Sequence, residues 1–264
     1  NPLSSCGIPF LAQWNTMVLY PGALFYLLFP LQWSLSVFCV LHLYLGGLGV
    51  YFLVRRQVGD NLAGAVGGMI FAFNGFMQAC LMWPNNIAAL GWLPWVFLAG
   101  ISAWQVGGRK LLLAVSVGGL QMLTGAPEVI LVTWLLLAGY FLLDLWRYRE
   151  VAPAEVRVRA IRFGGMVGLI ALLAAAQLLP FLDLLAHSPR QADGQPVDWP
   201  MSTVAWIRFL MPLFHTTLRS TGLFKPVDQG WIHSYYLGAV AVTLVAIALL
   251  AVRRPSVWLM GGAV

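Results

Sequence analysis

The chain is 264 residues long, 60% hydrophobic and only 9% charged, with a mean hydropathy of +0.81. An ordinary soluble domain carries about 25% charged residues, so this composition excludes water as the main solvent; apolar runs of membrane length recur from end to end and leave no soluble domain between them. The net charge of +6 and pI near 9.6 do not indicate nucleic acid, because Lys and Arg sit in short linkers between apolar runs and not along a soluble basic face.

In chain order, Asn1 to about Gln32 comes first, beginning at Asn and not at Met. No charged n-region with a short apolar core and cleavage site follows, so no signal peptide is expected. At the far end Ser256 to Val264 opens a new apolar run and stops. Both ends read as cut, and the chain is expected to be an internal fragment of a longer protein.

Stretches able to cross about 30 Å of hydrocarbon are expected near Trp33 to Val54, Leu62 to Cys80, Ile87 to Trp104, Leu111 to Thr124, Val129 to Trp146, Phe163 to Leu182 and Tyr235 to Val252. The fourth is short. The fold class is therefore all-α: a polytopic transmembrane helical bundle of about seven complete spans plus a truncated one, forming one transmembrane domain over residues 1–264.

Short cytoplasmic loops collect Lys and Arg. Arg55, Arg56, Arg109, Lys110, Arg147, Arg149, Arg157, Arg159, Arg162, Arg253 and Arg254 all fall on one side of the alternating spans, 11 of the 15 cations. The other four, Arg190, Arg208, Arg219 and Lys225, share one long loop on the opposite side. The outer side then comprises an interfacial segment 1–32, the turn Met82 to Asn86, the turn Gly125 to Glu128 and a long loop 183–234. On the inner side, Arg147 to Arg162 reads as a solvated helix end on anionic headgroups.

Two outer segments are too short or interrupted to span: Tyr20 to Leu31, bounded by Pro21 and Pro30, and Trp199 to Phe214, with Trp206, Phe209, Leu210 and Leu213 at helical spacing. Both fit helices lying in the outer interface, or segments packed onto the bundle. Glycine pairs at 46–47, 67–68, 118–119 and 164–165 fit close helix packing.

A mid-depth acid would mark an ion-coupled transporter, and no span carries one. Asp144 near an inner end can snorkel beside Arg147, and Asp183 lies just past Pro180 at an outer end. His42, Asn74, Gln78, Gln121 and Gln177 read as interhelical hydrogen-bond partners. The outer acids are Glu128, Asp183, Asp193, Asp198 and Asp228. Glu128 follows Pro127 at the mouth of a span, where a helix N-terminus welcomes negative charge whether or not a ligand does. The outer cations, with His187, His215 and His233, can grip an anionic headgroup or merely solvate the loop. Cys6, Cys39 and Cys80 have no metal or redox spacing, and a Cys6–Cys80 disulfide is permitted without being required. No zinc, nucleophile-elbow or P-loop motif is present.

The series Asn1-Pro2, Gly7-Ile8-Pro9, Tyr20-Pro21, Arg55-Arg56, Gly68 to Phe76 (GMIFAFNGF), Trp83-Pro84-Asn85, Leu90 to Trp95 (LGWLPW), Gln121 to Glu128 (QMLTGAPE), Gln177 to Pro180 and Tyr236-Leu237-Gly238 resembles the bacterial YfhO-type membrane proteins over most of the chain. The resemblance implies a GT-C-like glycosyltransferase of the cytoplasmic membrane. It would move a sugar from a polyprenyl-phosphate carrier to a cell-envelope glycan, teichoic-acid-type polymer or lipid at the outer face, by inverting transfer with an acid as general base. That acid is implied in the first outer loop, upstream of Asn1, so no catalytic residue is assigned within the chain. Tyr20, Asn85, Glu128, Ser188 and Arg190 are the residues the resemblance implies for lining the outer cavity. A divalent cation is left open. The rival expectations are a lipid-linked-glycan flippase or transporter, which needs a polar path to the inner side, and a non-catalytic membrane scaffold.

Overall fold

A computed structural model of the chain describes residues 7, 9–150, 152–187, 203–211, 213–214, 216–218, 224–226 and 234–251. Most of these are helical: α1 (Phe25–Leu28), α2 (Leu31–Val58), α3 (Asn61–Phe73), α4 (Gly75–Ala79), α5 (Pro84–Val106), α6 (Arg109–Leu123), α7 (Pro127–Tyr148), α8 (Pro153–Leu173), α9 (Ala175–His187) and α10 (Ala239–Ala251). A two-stranded antiparallel ribbon, β1 (Thr216–Leu218) with β2 (Phe224–Pro226), is the exception among the described residues. Among the described residues four stretches are long and apolar enough to cross a membrane, Leu31–Val58, Asn61–Met82, Pro84–Val106 and Pro127–Tyr148, and α8 with α9 makes a fifth if the bent pair counts as one. The protein is thus a multi-pass membrane helical bundle.

Helix starts and stops follow local chemistry. Pro84, Pro127 and Pro153 each open a helix, where a missing N–H costs nothing. Gly59, at φ +80°, ends α2 with its N–H on the Arg55 carbonyl at 2.8 Å. Two expectations change. The span foreseen over Phe163 to Leu182 bends by 77° between α8 and α9. Pro180 lies beyond the bend, which is held from outside: Gln177 Nε2 donates to the Leu11 carbonyl at 2.6 Å, and Phe181 meets Trp14 at 4.9 Å between ring centroids. The span foreseen over Leu111 to Thr124 is α6, whose 15 residues reach only about 22 Å.

The chain divides into two compact units. The first holds Asn1–Gly68 and Trp83–Pro189, the second Met69–Met82 and Arg190–Val264. In the first, α5 is the hub, packed against α2, α6, α7 and α8. Its Ile87, Ala88, Ala89, Ala103 and Trp104 are fully enclosed, and Trp104 lies edge-on to Phe141 and Phe163, which stack at 4.1 Å. Small residues permit these approaches. A Cβ on Gly68 would strike the Gly47 carbonyl, and Cβ atoms on Gly118 and Gly119 would strike Ile170 and Leu173. The Gly164–Gly165 pair differs from the expectation: nothing lies within 4 Å of either position, because that face of α8 meets no other helix among the described residues.

The basic residues of this unit gather at one end. The C-terminal ends of α2, α5 and α7 meet the N-terminal ends of α6 and α8 there, and three arginines brace them. Arg56 donates to Ser102 Oγ at 2.8 Å and Gln105 Oε1 at 3.2 Å. Arg162 donates to the Trp104 and Gln105 carbonyls at 3.2 and 3.0 Å, satisfying acceptors that the end of α5 leaves open. Arg159 pairs with Asp144 at 2.6 Å, with Trp104 Nε1 donating to the same carboxylate oxygen at 3.0 Å and the guanidinium 3.8 Å from the Tyr148 ring centroid. Asp144 therefore does not snorkel beside Arg147. Its partner lies one helix on, because α8 folds back along α7. Arg159 is likewise buried, so Arg147 to Arg162 is only in part a solvated end.

In the second unit the long stretch breaks at Asn74. Its Oδ1 accepts from the Met77 N–H at 2.9 Å, capping α4, while Nδ2 donates to the Phe71 carbonyl at 2.7 Å. Gln78 Nε2 donates to the Ala72 carbonyl at 3.1 Å. Both amides thus repair the break instead of joining helices as expected. Gly75 is pressed against Ser234 and Tyr236, and its N–H reaches the Tyr236 carbonyl at 2.6 Å. Residues 234–238 enter α10 without helical turns, so that helix starts later than Tyr235. Within the segment foreseen from Trp199 to Phe214, the described part forms a 3₁₀ helix, Thr203–Phe209. There Trp206 stacks on Phe209 at 5.5 Å and stays exposed, and Phe209 meets Tyr235 at 5.7 Å.

Candidate functional site

At the end of the first unit opposite the arginines, residues 9–28 fold over the bundle. Short 3₁₀ turns at Trp14–Thr16 and Pro21–Leu24 give this segment one buried and one exposed side. Trp14, Met17 and Tyr20 turn inward, while Leu24, Leu27 and Leu28 stay exposed. The packed reading of Tyr20 to Leu31 thus holds for Tyr20, while Leu24, Leu27 and Leu28 have no packing partner that buries them.

Tyr20 is 4% exposed, and its hydroxyl lies 2.6 Å from His42 Nε2 and 2.8 Å from Trp92 Nε1. Indole N–H can only donate, so Trp92 donates to the Tyr20 oxygen and the Tyr20 hydroxyl donates to His42 Nε2. His42 Nδ1–H then donates to the Phe38 carbonyl at 2.7 Å, which assigns the neutral tautomer. Burial pushes the Tyr20 phenol up to about 12, with the Trp92 hydrogen bond opposing in part, so the proton that the chain needs is held. The folded value lies above the ordinary phenol value of 10.0, so this stability is complete below pH 10 and erodes as pH rises toward 12. Tyr20→Phe should cost about 1–3 kcal/mol by stranding His42 Nε2 and the Trp92 N–H, measured by thermal or denaturant unfolding in detergent. A loss below a few tenths of that range would show the relay to be idle.

A second cluster joins the starts of α5 and α7. Asn85 Nδ2 donates to the Gly125 carbonyl at 3.1 Å. Gly125, at φ +70°, sits so close to the Trp14 backbone that a Cβ would overlap the Trp14 carbonyl oxygen. Trp14 Nε1 donates to the Met122 carbonyl at 2.7 Å. Below the turn, Gln121 is fully buried and its Nε2 donates to the Ala89 carbonyl at 3.2 Å and Thr133 Oγ1 at 3.0 Å. Gln121, Gln177 and His42 therefore act as the helix-to-helix or helix-to-segment ties their burial suggested. Glu128 stands exposed in the first turn of α7, three residues past the Gly125 carbonyl that Asn85 holds.

The structure thus brings Asn85 and the Glu128 turn together and sets Tyr20 in a separate network, two helical turns further along α5 through Trp92. Ser188 and Arg190 lie outside the described residues, as do Cys6 with its foreseen link to buried Cys80, and Arg219, His215 and His233. Arg208 is buried, with Nε on the Phe214 carbonyl at 3.1 Å. Asp183 and His187 pair with each other on the exposed face of α9, at 3.3 Å. Among the described residues no group of three or more His, Cys, Asp or Glu could hold a metal ion.

Trp14 and Trp92 are the residues that reading the sequence passed over. Their signal was available: an indole turned away from water needs an acceptor for its N–H, and Trp14 stands in a polar turn while Trp92 lies inside α5 within LGWLPW. An apolar cavity of about 470 Å³ opens below Trp14, lined by Met122, Pro127, Ile130, Trp134 and Ile170 among others. No protein-family profile, curated protein or solved structure matches this chain.

Proposed function

We propose that the chain is part of a YfhO-type, GT-C-like glycosyltransferase of the bacterial cytoplasmic membrane, crossing it about seven times. It uses a polyprenyl-phosphate-linked sugar and modifies a cell-envelope acceptor at the outer face. The observation that carries this reading is spatial. Segments quoted for the resemblance are far apart in sequence yet meet at one end of the first unit, Tyr20 with Trp92 and Asn85 with Gly125, and two more of them, through Gln121 and Gln177, bond there to Ala89 and Leu11 beside other quoted segments. These contacts set polar side chains of the quoted segments at the end away from the arginines, while Arg55-Arg56 of the same series stands at the arginine end. In this reading Asn85 and Glu128 contact donor or acceptor, Ser188 and Arg190 extend that surface, and Tyr20 positions α5 from behind. Glu128 is not assigned proton abstraction.

The flippase alternative draws less support. Asp144, the buried carboxylate of α7, is neutralised by Arg159 at 2.6 Å at the basic end, which suits a brace better than a polar path.

Sidedness comes first in testing this. In a background with the native cysteines replaced, a membrane-impermeant thiol reagent applied outside should label Glu128→Cys and leave Arg157→Cys unmodified until the membrane is opened. The reverse pattern ends the proposal. In the full-length protein, Glu128→Gln and Asn85→Ala should each reduce transfer from a labelled polyprenyl-phosphate sugar at least about tenfold at normal expression, which corresponds to about 1.4 kcal/mol of lost transition-state binding. Unchanged rates in both would remove this turn from the site, and a folded parent without transfer would leave the scaffold reading.

A further inference from the structure

After Arg56, Arg159 and Arg162 are used in bracing, six cations remain exposed at the basic end of the first unit: Arg55, Arg109, Lys110, Arg147, Arg149 and Arg157. Among the described residues only Arg149 of these has a carboxylate in ion-pair reach, Glu150 at 3.3 Å. Their distribution is uneven. Arg147, Arg149, Trp146 and Glu150 line a surface cleft of about 210 Å³ at the end of α7. The Arg149 guanidinium carbon stands 5.5 Å from the Trp146 ring centroid, and Trp146 is 55% exposed. One turn back toward the apolar stretch of α7, Leu142 is exposed as well.

This ordering along one helix, exposed aliphatic, exposed indole, then two guanidinium groups, follows the change from acyl chain through glycerol to phosphate at a bilayer boundary. A guanidinium presents paired N–H donors that match phosphate oxygens, and the indole plane both fixes Arg149 and covers the glycerol region. Glu150 tethers Arg149 from the water side and leaves Arg147 without a carboxylate. A soluble polyanion would meet the same charges but find no use for the apolar rim. We propose that this cleft is a binding site for the phosphate of an anionic glycerophospholipid in the leaflet at the basic end. The proposal requires only that the helices cross a membrane and does not depend on glycosyl transfer.

The test uses the full chain in detergent with equal amounts of phosphatidylglycerol and phosphatidylcholine of matched chains, and native mass spectrometry to count retained lipid. The parent should prefer phosphatidylglycerol, and less so as salt rises. Arg147→Gln with Arg149→Gln should weaken that preference about 25-fold, at about fivefold per cation near an anionic surface. Arg109→Gln with Lys110→Gln should change it by less than about threefold. Equal retention of the two lipids by the parent overturns the site. So does an equal loss in the Arg109 and Lys110 variant, which would mean diffuse charge, or stripping of the lipid by millimolar inorganic phosphate, which would mean a site for free anion. Arg147 and Arg149 also complement the α7 dipole, a role lysine keeps whatever lipid is present. If the glutamine pair fails to fold, Arg147→Lys with Arg149→Lys carries the test: it keeps the charge but loses the paired donors and the stacked plane, so the preference should fall by at least about threefold, and a folded lysine pair with the parent's undiminished preference overturns the proposal.

Discussion

Asp144→Ala should lower the unfolding free energy by about 3–5 kcal/mol, the largest loss expected from one side chain at the basic end. The alanine removes the carboxylate that pairs with the buried Arg159 guanidinium at 2.6 Å, leaving Glu155 at 3.8 Å, and also removes the acceptor of Trp104 Nε1. The cation is then held among Tyr148, Trp104 and the α7–α8 contact, where water reaches it poorly and the half-exposed Glu155 compensates it only in part. Asp144→Asn keeps an acceptor for the indole and should cost less. Removing both charges, as Asp144→Leu with Arg159→Met, should recover most of the loss, since well-packed apolar residues replace buried pairs at little cost. Urea unfolding in mixed micelles measures all three. A double variant no better than Asp144→Ala would mean that the carboxylate serves Trp104 and not Arg159.

Gly125→Ala should be the most damaging substitution at the opposite end. An alanine at φ +70° costs about 1–2 kcal/mol in dihedral strain, and its Cβ must also displace the Trp14 carbonyl. The Trp14 indole bond to Met122 and the Asn85 bond to Gly125 share that turn, so residues 9–24 should lift from the bundle together. Limited proteolysis should then cut this segment faster than in the parent, with the unfolding midpoint lowered. Gly164→Ala is the control. It lies in helix with nothing within 4 Å, and alanine there should be neutral or stabilise by up to about 1 kcal/mol. Equal effects of the two would contradict the packing described.

What could be read from the residues alone was what depends on neighbours in sequence. Helix starts at Pro84, Pro127 and Pro153 and the stop at Gly59 follow from one residue's dihedral limits. The grouping of Arg55, Arg109, Arg147 and Arg162 at one end followed from counting apolar runs. Asp144 was assigned to Arg147, three residues away, because a helix face was all the sequence could supply; Arg159 became the partner through the return of α8. The same gap hid the bend after Leu173, which rests on Leu11 and Trp14 more than 160 positions earlier in the chain, as the Gln177 to Leu11 bond records. Gly164–Gly165 looked like Gly118–Gly119 because composition cannot tell which face of a helix is occupied. At the candidate site, Asn85 and Glu128 were visible as residue types at helix mouths, whereas their meeting through Gly125 needed the fold.

The enclosure of α5 constrains biogenesis. Of its four packing neighbours only α2 has been synthesised when Val106 leaves the ribosome. The nascent α2–α5 pair must therefore hold Trp104 and the rest of the eventual interior against translocon or lipid until α6, α7 and α8 arrive. A chain arrested before Pro153 would lack both Arg159 and Arg162, leaving Asp144 as an unpaired anion at the basic end of the bundle.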